Sequence, residues 1–199
     1  MSVGNVSHSG GSVRRGAASL PPAQLVRLHR HSVVTVLVIG GDPARRCGIA
    51  QLFHRESALR GGPFVKIDCS TEEERLRLAL QAWLSPACTE RAISAVRAAD
   101  RGTLFLDGVE SLSRDAQRQL LEWTRRSSDS PFGGEGVQWL GRLVAGSDEP
   151  LAPRVARGSF LRELYDVIDK VRVELPDPGT RKDRPSLYYA EWSAAPMCP

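Results

Sequence analysis

The chain has 199 residues, 41% apolar and 25% charged, enough apolar matter for one packed domain and too much for a wholly disordered polypeptide. Its net charge of +4 resides on Arg14, Arg15, Arg27 and Arg30, because residues 1–41 contain no acid and the remaining 23 basic and 23 acidic residues cancel. A basic body for gripping nucleic acid is thereby excluded, and an N-terminal arm with so few charges supports only salt-sensitive, non-specific phosphate contacts.

No apolar run approaches the roughly 20 residues needed to cross a membrane, and the first twenty residues hold no stretch resembling a signal peptide. Cys47, Cys69, Cys88 and Cys198 lack CxxC spacing, so neither a zinc site nor a disulfide framework is expected, and a reducing cytoplasm is the expected location.

Residues 1–18 are rich in Gly and Ser and read as a disordered basic arm. Pro21-Pro22 opens a short helix to His29, since proline suits a first helical turn. The β-branched run Val33 to Ile39 predicts a strand buried on both faces, ended by Gly40-Gly41-Asp42-Pro43. A helix follows with Ile49, Leu52 and Phe53 on one side, then a short strand over Phe64 to Asp68. Leu76, Leu80, Trp83 and Leu84 recur at helical spacing within Glu72 to Leu84, and Ala92 to Ala99 reads as another short helix. Thr103 to Leu106 is a third strand, stopped by Asp107-Gly108. Ser113 caps a helix to about Arg126 with Leu120, Leu121 and Thr124 inward, and a polar linker covers residues 127–136. Arg142 to Ala145 is a fourth strand, Phe160 to Ile168 a helix, and Val171 to Leu175 a fifth strand. Strands alternating with helices predict a parallel sheet covered on both faces.

Such sheets bind ligands beyond the carboxyl ends of their strands. The first such turn, Gly40 to Arg46, can be set against the phosphate-binding pattern G-x-x-x-x-G-K-S/T. The first glycine is kept; Arg45 stands at the second glycine and Arg46 at the lysine. Pro43 removes one N–H from the cradle. Gly40, Gly41, Arg45, Arg46 and Cys47 are therefore the candidate nucleotide-site residues of this turn. Arg45-Arg46 is either an anion contact at a helix N-terminus or a solvated basic pair. Cys47 is either a thiol activated by that terminus or a small buried filler. His54 reads as a structural histidine, and Trp83, Trp123 and Trp139 as core or interface residues.

Read as a whole, the chain resembles the central AAA+ domain of the sigma-54-dependent transcription activators. Val36-Leu37-Val38-Ile39-Gly40 and Ala50 to His54 are similar to that family's V-L-I-x-G and A-x-x-I-H. Gly62-Pro63-Phe64-Val65-Lys66-Ile67-Asp68-Cys69 resembles G-P-F-V-x-x-N-C, and Arg101 to Gly108 resembles G-G-T-L-F-L-D-E. Gln117 through Trp123 echoes Q-x-x-L-L, Arg142 to Asp148 echoes R-x-I-A-A-T-N, and Gly158 to Ile168 echoes G-x-F-R-x-D-L-Y-Y-R-L. The likeness runs from about Leu20 to Pro185 and implies a P-loop NTPase-like three-layer α/β sandwich of five parallel strands in the order 5-1-4-3-2. The expected organisation is the arm, a core over 19–185 and a tail over 186–199, with the family's helical lid absent.

Departures from the family pattern fall on its chemistry. The resemblance adds Asp107 to the candidate nucleotide site, as the carboxylate that helps hold Mg²⁺ if the metal is bound and otherwise as a relic or a strand-end carboxylate. Gly108, however, stands where the resemblance implies the water-polarising Glu, with Glu110 two residues on. Asp148 occupies the sensor Asn position, and Leu161 and Val167 occupy the two arginine-finger positions, with Arg162 one residue out of register. A finger is worth about 10³–10⁵ in rate. Residues Ser85 to Arg91 show nothing like the family's sigma-54-contacting G-A-F-T-G-A loop, and no receiver domain or helix-turn-helix is expected.

The resemblance and its losses imply a non-catalytic AAA+ relative acting as a binding module in transcription regulation, with nucleotide binding weak or lost. Its expected partner is a protein, either an AAA+ activator or a second copy of itself. A protein that binds ATP or ADP with Mg²⁺, or hydrolyses ATP slowly, remains the alternative, and a nucleic-acid binder using the arm is the weaker one.

Overall fold

The computed structural model describes residues 20–84, 94–128 and 139–176. The basic arm, most of the polar linker, residues 85–91, the tail and any lid lie outside the described residues.

Five parallel strands form one sheet: β1 (Val36–Ile39), β2 (Phe64–Asp68), β3 (Thr103–Asp107), β4 (Arg142–Ser147) and β5 (Val171–Glu174). Their spatial order is β2-β3-β4-β1-β5, the expected 5-1-4-3-2 read from the opposite edge. Val36 pairs with Val144 on one side and Val171 on the other, and Leu104 pairs with Val65 and Leu143. The helices are α1 (Pro22–His29), α2 (Pro43–Arg55), α3 (Glu73–Leu84), α4 (Ala95–Ala98), α5 (Arg114–Ser128), α6 (Ala152–Ala156) and α7 (Arg162–Ile168).

The two-residue strand period sorts side chains into two cores, which makes three layers. Val36 and Val38 of β1 join Phe105, Val144, Val171 and Val173 under α1 and α2, where Ile49 and Phe53 complete the packing. Leu37 and Ile39 point the other way, to Leu104, Leu106 and Leu143. There α3, α5 and α7 contribute Leu76, Leu80, Leu120 and Leu164. Each such side chain, fully buried, stabilises the fold by about 1.5–3 kcal/mol relative to exposure. Trp123 and Trp139 meet edge to face at 4.9 Å in this second core, and Trp139 Nε1 donates to the Val96 carbonyl at 3.0 Å.

Several boundaries differ from the sequence reading. The first strand has four residues rather than seven. The Arg30 carbonyl accepts from the Ala58 N–H and the Ser32 carbonyl from Arg142, so the chain before Thr35 is held at helix ends and cannot extend the ladder. Val33 is accordingly exposed. The fourth strand runs on to Ser147, because Val38 and Ile39 continue to pair with Gly146 and Ser147. The helix α6 and a 3-10 turn over Val109–Ser111 were not foreseen; both are too short to show a period.

Candidate functional site

The first turn leaves β1 through two consecutive left-handed glycines, Gly40 (φ 80°) and Gly41 (φ 67°). A side chain at Gly40 would clash as well as strain, since its Cβ would stand 2.8 Å from the Leu175 carbonyl oxygen. The turn hands the chain to α2, where Asp42 Oδ1 accepts the Arg45 N–H at 2.8 Å and Pro43 fills the first helical turn. Such a cap is worth about 1 kcal/mol. Arg45 extends outward and donates from Nη1 to the Pro176 carbonyl at 3.1 Å.

Arg46 turns inward. Its Nε donates to Asp107 Oδ1 at 2.6 Å, its Nη1 donates to the Gly41 carbonyl at 2.8 Å, and the same nitrogen pairs with Asp148. Asp107 is the last residue of β3, and Asp148 follows the last residue of β4. The guanidinium therefore bridges the carboxyl ends of two central strands. The Arg46 and Asp107 side chains are 3% and 4% exposed, so this pair is desolvated, whereas Asp148 opens to solvent. Burial alone would lower the Arg46 pKa, but the hydrogen bond and charge of Asp107, followed by Asp148, raise it. Arg46 stays a cation.

Gly146 makes the arrangement possible. A Cβ there would lie 2.6 Å from Asp107 Oδ1 and 3.3 Å from Arg46 Cδ. The resemblance had placed an alanine of the family pattern at this position.

The site thus unites Gly40, Gly41, Arg46 and Asp107 of the expected set, and Arg45 stands apart. Cys47 is a correction in part. It is fully buried in α2, as a filler would be, and it is disulfide-bonded, so it offers no activated thiol. Cys69 is a free thiol, and burial first, then Asp107, Asp68, Glu110 and Glu73, pushes its pKa up.

Asp107 does not fit the role of metal ligand in this arrangement. Its Oδ1 is committed to Arg46, and among the described residues no group of three His, Cys, Asp or Glu side chains could hold a metal ion. Gly108 sits in the left-handed region (φ 71°), where any other residue is strained, and opens the 3-10 turn. Glu110, two residues on, accepts the Asp148 N–H with Oε1 at 3.2 Å, while its Oε2 is buried without a hydrogen-bond partner. Leu161 and Val167, at the finger positions, pack against the second core. His54 is structural: its Nδ1 lies 3.0 Å from Thr103 Oγ1 and its ring meets Phe64 edge-on.

Sequence reasoning missed that Asp148 belongs with Arg46. The available signal was reciprocal: a cation and an anion both depart from the family pattern, at positions that a P-loop fold brings together. It also missed Arg142, fully buried, whose guanidinium donates to the carbonyls of Phe53 (2.7 Å), His29 (2.8 Å) and Ser32. These acceptors lie at or just beyond the carboxyl ends of α1 and α2, which favour a cation.

Comparison with known proteins agrees with the fold. Residues 19–174 match the family model of the sigma-54 interaction domain. The acetoin catabolism regulatory protein of Cupriavidus necator is 30% identical over 158 residues, covering 76% of this chain and 24% of that protein. The nitrogen assimilation regulatory protein NtrX of Azorhizobium caulinodans is 28% identical, covering 74% and 33% respectively. The chain thus spans about a quarter to a third of the length of these relatives. Among solved structures, NtrX from Brucella abortus in complex with ADP superposes with a TM-score of 0.64 at 24% identity, covering 78% of this chain and 35% of that one. The P-loop NTPase domain of a sigma-54 activator from E. coli gives 0.51 at 20% identity, covering 78% and 100%.

Proposed function

This chain belongs to the sigma-54 interaction domain family, and we propose that within it the domain is a binding module of transcription regulation that does not turn over ATP and holds nucleotide weakly or not at all. The observation that carries this reading is the commitment of Arg46 to Asp107, Asp148 and the Gly41 carbonyl. A P-loop lysine contributes by reaching free toward phosphates, and a Walker B carboxylate by facing a metal ion. Here the two are bonded to each other. Water activation lacks the expected residue, because Gly108 has no side chain at the position of the family's Glu. Transition-state charge finds no cation at the finger positions themselves, because apolar Leu161 and Val167 occupy them.

Brucella abortus NtrX has been solved with ADP and with ATP, so that protein holds a nucleotide on a similar fold. The rival reading, an ATP-binding protein or slow ATPase, would need Arg46 to leave both carboxylates. The arm remains a weaker route to nucleic acid.

The partner that best suits such a domain is an AAA+ activator, or a second copy of this chain, whose subunit interface it imitates. A subunit without fingers silences the nucleotide site of its neighbour. The test is to titrate the protein into an active sigma-54 activator from the same cell and follow phosphate release. Release falls as mixed assemblies form if the reading holds. Unchanged release at large excess, with no co-migration of the two proteins, refutes it.

A further inference from the structure

We infer that the Arg46 guanidinium is this domain's built-in counter-ion, standing where a divalent cation would have to sit between the ends of β3 and β4, with Gly146 as the residue that positions it. The inference rests on the family reading of the site and goes further, because it says what replaced the metal and how the replacement fits.

The group a P-loop fold implies is Mg²⁺, which binds carboxylate oxygens in a tight octahedron at 2.0–2.1 Å and leaves little tolerance for a competitor. Asp107 Oδ1 instead receives Arg46 Nε at 2.6 Å, and the two side chains are themselves only 3% and 4% exposed. The planar fork suits this task better than an ammonium would. One edge meets Asp107 on β3, while Nη1 is shared between Asp148 after β4 and the Gly41 carbonyl of the first turn. Lysine has no second nitrogen to span such a set.

Two further observations point the same way. The turn offers a carbonyl oxygen to the buried cation at Gly41, the opposite polarity from the N–H groups that line an anion cradle. Gly146 leaves the space that Asp107 Oδ1 and Arg46 Cδ fill, and a Cβ there would occupy it. The buried cation, its acceptors and the gap in β4 form one unit, assembled from residues 41, 46, 107, 146 and 148.

The domain should therefore neither bind nor need a divalent cation at this place. The probe is Mn²⁺ alone, followed by electron paramagnetic resonance on the whole chain, with wild type, Arg46→Met and Asp107→Asn compared. Wild type is expected to leave Mn²⁺ free. Arg46→Met, which frees both carboxylates, is expected to bind one equivalent at least about tenfold more tightly, because affinity follows the free ligand charge. In parallel, the Arg46 Nε–H resonance of the wild type should persist when Mn²⁺ is added. Wild type that binds one Mn²⁺ and loses it in Asp107→Asn overturns the inference, as does a folded Arg46→Met that binds no better than wild type. If Arg46→Met does not fold, the wild-type titration and the Nε–H signal decide alone. Metal-free binding of ATP would end the reading of lost nucleotide affinity and leave this inference standing. Mn²⁺ at Asp107 would end the inference whatever the protein does with ATP.

Discussion

Replacing Gly146 with alanine adds one methyl group at the most crowded point of the site. In an ordinary strand the change stabilises by about 0.5–1 kcal/mol, because glycine loses more chain entropy on folding. At 146 the new Cβ meets Asp107 Oδ1 at 2.6 Å, Phe105 Cε2 at 3.1 Å and Arg46 Cδ at 3.3 Å. The carboxylate cannot swing aside cheaply, since it is buried and bonded to Arg46. Overpacking of this kind costs about 1–3 kcal/mol, and the loss of one partner from a buried ion pair costs about 3–5 kcal/mol. The backbone gain offsets part of that, so Gly146→Ala should destabilise by about 1–3 kcal/mol. Urea unfolding followed by tryptophan fluorescence measures it, with a lower midpoint at unchanged slope. The control is Gly48→Ala in α2, where a Cβ meets nothing within 4 Å and stability should rise by about 0.5–1 kcal/mol. In an Asp107→Ala background the cost of Gly146→Ala should largely vanish, since the two sites are coupled. A Gly146→Ala protein as stable as wild type, or more so, would refute the packing argument and leave the salt bridge without its positioning residue.

Arg142→Met should cost about 1–3 kcal/mol in the same assay, since the buried Phe53 carbonyl and the half-buried Ser32 and His29 carbonyls lose a charged donor, although His29 keeps Ser32 as a donor; a loss below about 0.5 kcal/mol, the scale of an ordinary surface change, contradicts this. Burial first, then the charges of Arg142 and Arg55, lowers the His54 pKa from its ordinary 6.5. The unfolded chain therefore takes up that proton more readily, so stability is full above pH 6.5 and declines as pH falls below it toward the folded value. Asp68, Glu72 and Asp169 are also held low and lose their contributions only at more acid pH. His54→Gln should remove the first decline and spare the second; an identical pH–stability curve would contradict the assignment. Cys69, buried and surrounded by carboxylates, should escape thiol reagents until the protein unfolds, and rapid native labelling mapped to Cys69 would show that it is accessible.

The fold was largely legible because its signals are local. Val36 to Ile39 and Thr103 to Leu106 are short apolar runs ended by Gly or Asp-Gly, and the pairs Leu76/Leu80 and Leu120/Thr124 stand at helical spacing. The strand order came from the family resemblance, since no periodicity encodes it. The length of β1 was not legible, because it depends on where Arg30 and Ser32 are anchored by distant groups. At the site, each departure could be read singly: Arg46 for a lysine, Gly108 for a glutamate, Asp148 for an asparagine. Their connection could not be read, because Arg46 and Asp107 are 61 positions apart and meet only in a sheet that sets β3 beside β1 with β4 alone between them. Gly146 is the clearest case. As a residue it is an unremarkable glycine in a strand, and its purpose appears only as the space beside it.

Phosphate release tests the central claim most directly. Wild type and Asp107→Ala, purified identically, are each incubated with γ-labelled ATP and Mg²⁺ at protein in excess over nucleotide, so that even one slow turnover registers. With the lysine position committed to Asp107 and Asp148, no side chain at 108 and apolar residues at the finger positions, the two proteins should release phosphate equally, at the level of a mock preparation. Release by the wild type that disappears in Asp107→Ala would show that Arg46 yields the carboxylate to a metal and that the domain is a working ATPase.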